Sequence, residues 1–318
     1  MTKNIVCHIT SLINPSRHIV TTVMAAAILA ASSSCSRTAA YQAEESAGIA
    51  SITVSIPPLE YFAKSIGGDS VDVTTLLPAG ADPETFEPGV NVMRALSGAG
   101  AIATTGTLRF EESVLTNLQA NNPDLKIFDM SDGIPLIFGT HQHASHGEEN
   151  HNHDDGEADP HIWSSVKNAR IIADNMLKAL SETAPQHTGY YTRRHNALIQ
   201  HLDSLDHAYS AKIHNADGNA FLIWHPSLSY FARDYGLHQI AFNVENKETS
   251  PLQLRRSLQQ ASGNAPLAFF IPEGTDQRRT ATIAAEAGLT PVPVNLMSAD
   301  WEEPLGKVAD ALSKKPHN

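Results

Sequence analysis

No feature of this chain narrows its fold more than the alternation of short β-rich runs with helical stretches, which occurs twice, on either side of a long helical region. In the first half Ile52–Ile56, Val71–Leu77, Ala101–Thr104 and Lys126–Asp129 read as strands, with helices expected over Tyr61–Ile66, Val92–Ser97 and Phe110–Leu118. In the second half Phe221–Trp224, His238–Phe242, Leu267–Ile271 and Pro291–Val294 read as strands, with helices over Tyr230–Asp234, Leu252–Gln260 and Arg279–Ala287. Alternation of this kind requires mostly parallel sheets covered by helices on both faces, so two α/β lobes are expected. Between them Tyr191, Leu198, Leu202, Leu205, Tyr209 and Ile213 recur mostly at three- and four-residue steps and share one helical face. Pro185 before them and Asp217-Gly218 after them are reasonable boundaries. The expected organisation is a lobe over 51–165, a helical linker over 166–217 and a second lobe over 218–318. A long helix is stiffer than extended connecting strands, so the lobes are expected to close only slightly on a ligand.

The N-terminus reads as a targeting segment. Lys3 and Arg17 precede an apolar stretch from Ile19 to Ala31, which falls short of the ~20 residues that span a bilayer. Small residues Ala31-Ser32-Ser33-Ser34 then lead into Cys35, a pattern similar to the lipobox of bacterial lipoproteins, although a stricter lipobox has Leu where Ser32 stands. Residues 1–35 are therefore expected to be a signal peptide, with Cys35 lipidated after cleavage and residues 36–50 a flexible tether. The alternative is a plain cleaved signal with Cys35 incidental. Only Cys7 and Cys35 are present, so there is no disulfide framework and no Cys-type zinc finger. The formal net charge of −12 argues against nucleic acid as a partner, because phosphate surfaces need clustered Lys and Arg.

Sixteen histidines point instead to metal. His141, His143, His146, His151 and His153 lie together with Glu148, Glu149, Asp154 and Asp155 in a stretch with almost nothing apolar. Such a stretch cannot bury a core and reads as a solvated loop over 140–157. Neutral imidazole is a preferred ligand for zinc, copper and nickel. A loop that must lose entropy to wrap an ion should bind it weakly and exchangeably. Three further short segments stand out: Gly80-Ala81-Asp82-Pro83-Glu84-Thr85-Phe86-Glu87-Pro88, Asp159-Pro160-His161-Ile162-Trp163 and Trp224-His225-Pro226-Ser227-Leu228-Ser229-Tyr230-Phe231. In open α/β sheets ligands bind beyond the C-terminal ends of the strands, where Glu84 and His225 both fall, one in each lobe. Taken singly, His225 before Pro226 reads as a structural turn residue, and Glu84 as a solvated charge or a helix cap.

Together these segments resemble the zinc/manganese-binding solute-binding proteins of ABC importers, the group often called cluster A-I. The likeness runs from about Ser51 to the C-terminus and includes Ser55-Ile56-Pro57-Pro58-Leu59-Glu60-Tyr61, the His-rich insertion and Asp300-Trp301-Glu302-Glu303-Pro304-Leu305. It implies two Rossmann-like lobes, a rigid linking helix and one metal held between the lobes. Carried over by position, two of the family's metal ligands fall on His161 and His225. The first falls on Glu84, where the family has His, and the fourth on Asn295, where the family often has Asp. A set of two His and one Glu is an acceptable zinc set, and a water or Glu273 could complete the shell in place of Asn295. The same set with open positions also suits manganese or iron(II), and the neighbouring His-rich loop tips the choice to zinc. The resemblance further implies a monomer that hands its metal to an ABC transporter permease and that catalyses no reaction. Two rivals remain at this point. A zinc hydrolase would use a similar site, but the helical H-E-x-x-H arrangement is missing. A metal-binding adhesin or storage lipoprotein would share most of these features.

Overall fold

The computed structural model describes residues 49–313, apart from 97, 140–156, 215, 217, 243–255, 257, 258 and 260–265. The expected signal peptide with Cys35, the tether up to residue 48 and the five loop histidines from His141 to His153 lie outside the described residues. The helix expected over Leu252–Gln260 lies almost wholly outside them.

The first lobe holds a four-stranded parallel sheet in the order β2-β1-β3-β4: β1 is Ala50–Val54, β2 Val71–Thr75, β3 Ala101–Thr104 and β4 Lys126–Asp129. The second holds another in the order β6-β5-β7-β8: β5 is Ala220–Ile223, β6 His238–Ala241, β7 Phe269–Pro272 and β8 Pro291–Val294. The central strands β3 and β5 are buried at every residue, as parallel strands covered on both faces must be. Register aligns the C-terminal ends, with Val54 opposite Thr75 and Ala103 in one sheet and Ile223 opposite Ala241 and Phe270 in the other. In each order the chain reverses direction across the sheet beside the first strand, and at such a switch point the loops part to leave a crevice.

Helix α1 spans Pro57–Gly67, starting four residues earlier than the sequence reading. The physical reason is that Pro57 and Pro58 occupy the first helical positions, where a missing N–H costs nothing and a fixed φ favours entry. Its buried stripe of Leu59, Phe62, Ala63 and Ile66 faces the core. Gly68 ends it with φ of 54°, and any side chain there would also meet the Tyr190 hydroxyl. Helices α2 (Val90–Leu96) and α3 (Arg109–Asn121) complete the lobe's alternation.

Residues 166–217, read as one linker, form two helices, α4 (Val166–Thr183) and α5 (Thr188–His214), separated by a turn at Pro185–His187. Ser165 caps α4 by accepting from the Asn168 amide at 2.9 Å. Helix α4 packs against β1, β3 and β4 and against α5, so it also covers the first sheet. In the second lobe α6 is Ser229–Tyr235, α7 Gln277–Ala287 and α8 Glu302–Leu312. Helix α8 packs on α5, with Pro304, Leu305, Val308 and Leu312 buried.

One apolar core runs through the whole described unit, from Ala50 and Phe62 through Trp163 and Tyr191 to Phe221, Tyr230, Trp301 and Leu312. A smaller one lies on the other face of the second sheet, where Ala220, Leu222, Phe269 and Ile271 meet Ile283 of α7. Alternation along β5 divides the strand between the two, with Phe221 and Ile223 in the large core and Ala220 and Leu222 in the small one.

Candidate metal centre

Three loops meet at the mouths of the two sheets. The first follows β2. Gly80 takes φ of 79°, and the Asp82 carboxylate accepts the Glu84 amide at 3.0 Å, which folds the loop into an Asx turn that presents Glu84. The second follows β5. The Trp224 amide continues the sheet by donating to Phe270 O at 2.9 Å, and the chain then turns at His225, whose carbonyl accepts the Ser227 amide at 2.8 Å. The third carries Asp159-Pro160-His161 and is held most firmly of all. The Asp159 amide donates to Ile137 O at 2.8 Å, and Thr107 Oγ1 donates to Pro160 O at 2.9 Å. Three bonds tie it to the second lobe: the Tyr230 hydroxyl donates to Asp159 O at 2.8 Å, Trp163 Nε1 donates to Leu296 O at 2.9 Å, and Trp301 Nε1 donates to Trp163 O at 2.7 Å. Burial pushes the Tyr230 hydroxyl up to about 12, so it remains a donor throughout the physiological range.

Beneath this loop sits Glu111, buried at 2 % exposure. It accepts from the Thr105 amide at 2.8 Å, the Thr105 hydroxyl at 2.9 Å and the Gly106 amide at 2.9 Å. It thereby fixes the turn from which Thr107 reaches Pro160. Burial pushes its carboxyl up, against the pull of those hydrogen bonds.

The side chains converge. His225 Nε2 lies 3.2 Å from His161 Nε2 and 3.2 Å from Glu84 Oε1. One ligand atom from each of Glu84, His161 and His225 falls within 4.8 Å of the other two. Two imidazole nitrogens bound tetrahedrally to one zinc at ~2.0–2.1 Å would stand about 3.3 Å apart, so the spacing fits a shared ion. The orientation of His161 fits as well. Its Nδ1–H donates to Asp159 Oδ1 at 2.9 Å and its amide donates to the same oxygen at 3.0 Å, which leaves the Nε2 lone pair aimed at His225. Burial pushes the Asp159 carboxyl up, but the hydrogen bonds it accepts, above all from His161, outweigh it and hold the group below the usual carboxylate range.

The remaining sequence candidates line the same cleft, whose volume is about 970 Å³. Asn295 uses Oδ1 to accept the Met297 amide at 3.1 Å. Glu273 stands outside the converging group of three and pairs with Lys307 at 3.9 Å. Asp159 belongs to a motif the sequence singled out but was given no role there; an acid two residues before a candidate ligand is the signal that was available. Glu111 and Thr107 carry no such signal, because only the folded turn brings them under Pro160.

The family described as "Zinc-uptake complex component A periplasmic" (ZnuA) matches residues 52–313. The chain belongs to this family. A ZnuA crystal structure shares 33 % identity with it at a TM-score of 0.74, covering 83 % of this chain and 98 % of that one. A ZnuA deletion mutant with zinc bound shares 32 % at a TM-score of 0.73, covering 83 % and 97 %. The zinc-binding lipoprotein AdcA of Streptococcus pneumoniae strain R6 is 26 % identical over 263 residues, covering 80 % of this chain and 52 % of AdcA. The chain spans about half the length of the streptococcal relatives it matches. Membership of the ZnuA family bears out the resemblance read from the sequence and the two-lobed α/β fold.

Proposed function

We propose that this chain captures a divalent metal outside the cytoplasm, zinc ahead of manganese or iron(II), and delivers it to the permease of an ABC importer. The observation that carries the reading is the convergence of Glu84, His161 and His225, from loops of both lobes, on one point in a cleft. The zinc-bound ZnuA structure and the zinc-binding names of the streptococcal relatives support the choice of metal. Membership of a family of uptake components supports a binding protein over a hydrolase. In this reading Glu84, His161 and His225 are the ligands, residues 51–165 and 218–318 are the jaws, and 166–217 links them. The histidines at 141, 143, 146, 151 and 153 collect metal weakly. The chain acts as a monomer, and Cys35 becomes its lipidated N-terminus, the lipidation being supported by the naming of pneumococcal AdcA as a lipoprotein.

Calorimetric titration of the metal-free chain with zinc, and separately with manganese, tests this. One tight zinc site is expected, together with weaker sites that disappear when residues 141–153 are removed. Tighter binding of manganese, or no tight site, would overturn the assignment.

A further inference from the structure

Building on the metal reading above, we infer that Glu302, with Tyr61 and His201, forms a latch outside the cleft that governs how fast the ion leaves, by holding His161 in place through Trp301 and Trp163. Trp163 stands two residues after His161 and lays its indole 5.3 Å from the imidazole, centre to centre. The residue is buried, and one stretch of the second lobe grips it at both ends: Leu296 O accepts its Nε1–H at 2.9 Å, and Trp301 Nε1 donates to its carbonyl at 2.7 Å. That stretch leaves β8 at Asn295 and is folded by short-range turns, with Ser298 N donating to Asn295 O at 3.2 Å and Asp300 N to Ser298 Oγ at 3.0 Å. Its far end is fixed against the first lobe. The Trp301 indole packs 5.3 Å from Phe62 and 5.5 Å from Tyr61, both on α1. The next residue, Glu302, accepts from the Tyr61 hydroxyl and from His201 Nε2 on α5, the latter at 2.8 and 2.9 Å to its two oxygens. One carboxylate thus joins both lobes and the helix between them. Burial and the Glu302 carboxylate push the Tyr61 phenol up, so it stays a donor.

A ligand ring supported from behind meets the metal in one orientation, and loosening such supports weakens the metal's hold. Opening the latch frees the stretch from Asn295 to Trp301 to shift, and with it Trp163, against which the His161 ring lies. None of the three latch residues lines the cleft, so they act on the ion through this relay. His201 is half-exposed, so the latch is reachable from the surface.

Zinc release from the full chain loaded with one equivalent, followed by stopped flow into an excess of a chromogenic chelator, tests the latch. Glu302→Ala is expected to speed release by roughly 10-fold, the low end of what ligand-supporting residues cost. Tyr61→Phe, which keeps the ring and removes only the hydroxyl, should give a smaller rise in the same direction. Glu303→Ala takes the same charge from the same helical turn but is exposed and outside the relay, and should release zinc at the wild-type rate. Trp163→Phe combined with Glu302→Ala should be no faster than the faster of the two single variants, because members of one relay do not add as independent sites do. A wild-type rate in Glu302→Ala or in Tyr61→Phe, an equal acceleration in Glu303→Ala, or effects that multiply in the double variant would overturn the inference and leave the metal reading standing. No zinc retained by the wild-type chain would overturn the metal reading itself.

Discussion

His161 and Glu84 face the same point, yet the loops that carry them are built differently. The His161 loop is buried and tied to both lobes, by Thr107 from one side and by Tyr230, Trp163 and Trp301 across to the other. The Glu84 loop is exposed along most of its length and is shaped by its own Asx turn. The difference separates two tasks that a capture site must combine. The imidazole is set in position and tautomer before metal arrives, so little ordering entropy is lost on binding. In the proposed site the Glu84 carboxylate stands at the exposed rim and reaches His225 Nε2 at 3.2 Å.

Removing either imidazole of the proposed site should do the most damage. His161→Ala and His225→Ala are each expected to lower zinc affinity by on the order of 1,000-fold, about 4 kcal/mol, in calorimetric titration. Asp159→Asn should come next. It weakens the hydrogen bond that fixes the His161 ring, and such second-shell changes cost roughly 10–100-fold in metal affinity. A wild-type affinity in Asp159→Asn would mean that the ring is held by packing alone. Glu84→Ala should cost less than either histidine, and Glu84→His should retain or raise affinity by restoring the imidazole usual for the family. Equal losses for Glu84→Ala and His161→Ala would erase the contrast between the two loops, and no loss in Glu84→Ala would remove Glu84 from the ligand set.

Acid should release the metal, because ligating imidazole must be deprotonated. Asp159 stays ionised through that change, since its carboxyl lies below the usual range. Its own contribution to stability is present above its unfolded pKa and is lost only as pH falls through the lower folded value. Metal loss monitored by a zinc dye should therefore precede any unfolding seen by circular dichroism. The smallest effect concerns the lobes. Because one apolar core and the tryptophan and tyrosine ties join them, small-angle scattering with and without zinc should differ little. A large compaction would show that the ties break on loading.

Much of this was legible in the sequence where chemistry and pattern coincide. Strands β3, β4 and β8 fall on the residues expected, since each is a short apolar or β-branched run with sharp turn signals around it. The Asp-Pro-His and His-Pro motifs picked out the two histidines that the fold brings 3.2 Å apart. Helix α8 was missed because Pro304 near its start masks a helical pattern that its burial against α5 then stabilises. The linker read as one element because the periodicity of α5 is plain, whereas the attachment of α4 to the first sheet depends on tertiary packing. The support of His161 by Glu111 and Thr107 spans some fifty residues of chain, from Thr107 to Pro160, and no local pattern encodes it.

The central claim, that ligands from both lobes hold one ion, is tested most directly by zinc K-edge absorption on the full chain loaded with one equivalent. The account predicts two imidazole nitrogens at ~2.0–2.1 Å with carboxylate-type oxygen completing the shell. The imidazole signal should fall in His161→Ala and in His225→Ala alike. A shell of three or more imidazoles that neither substitution changes would put the metal on the His-rich segment and contradict the account.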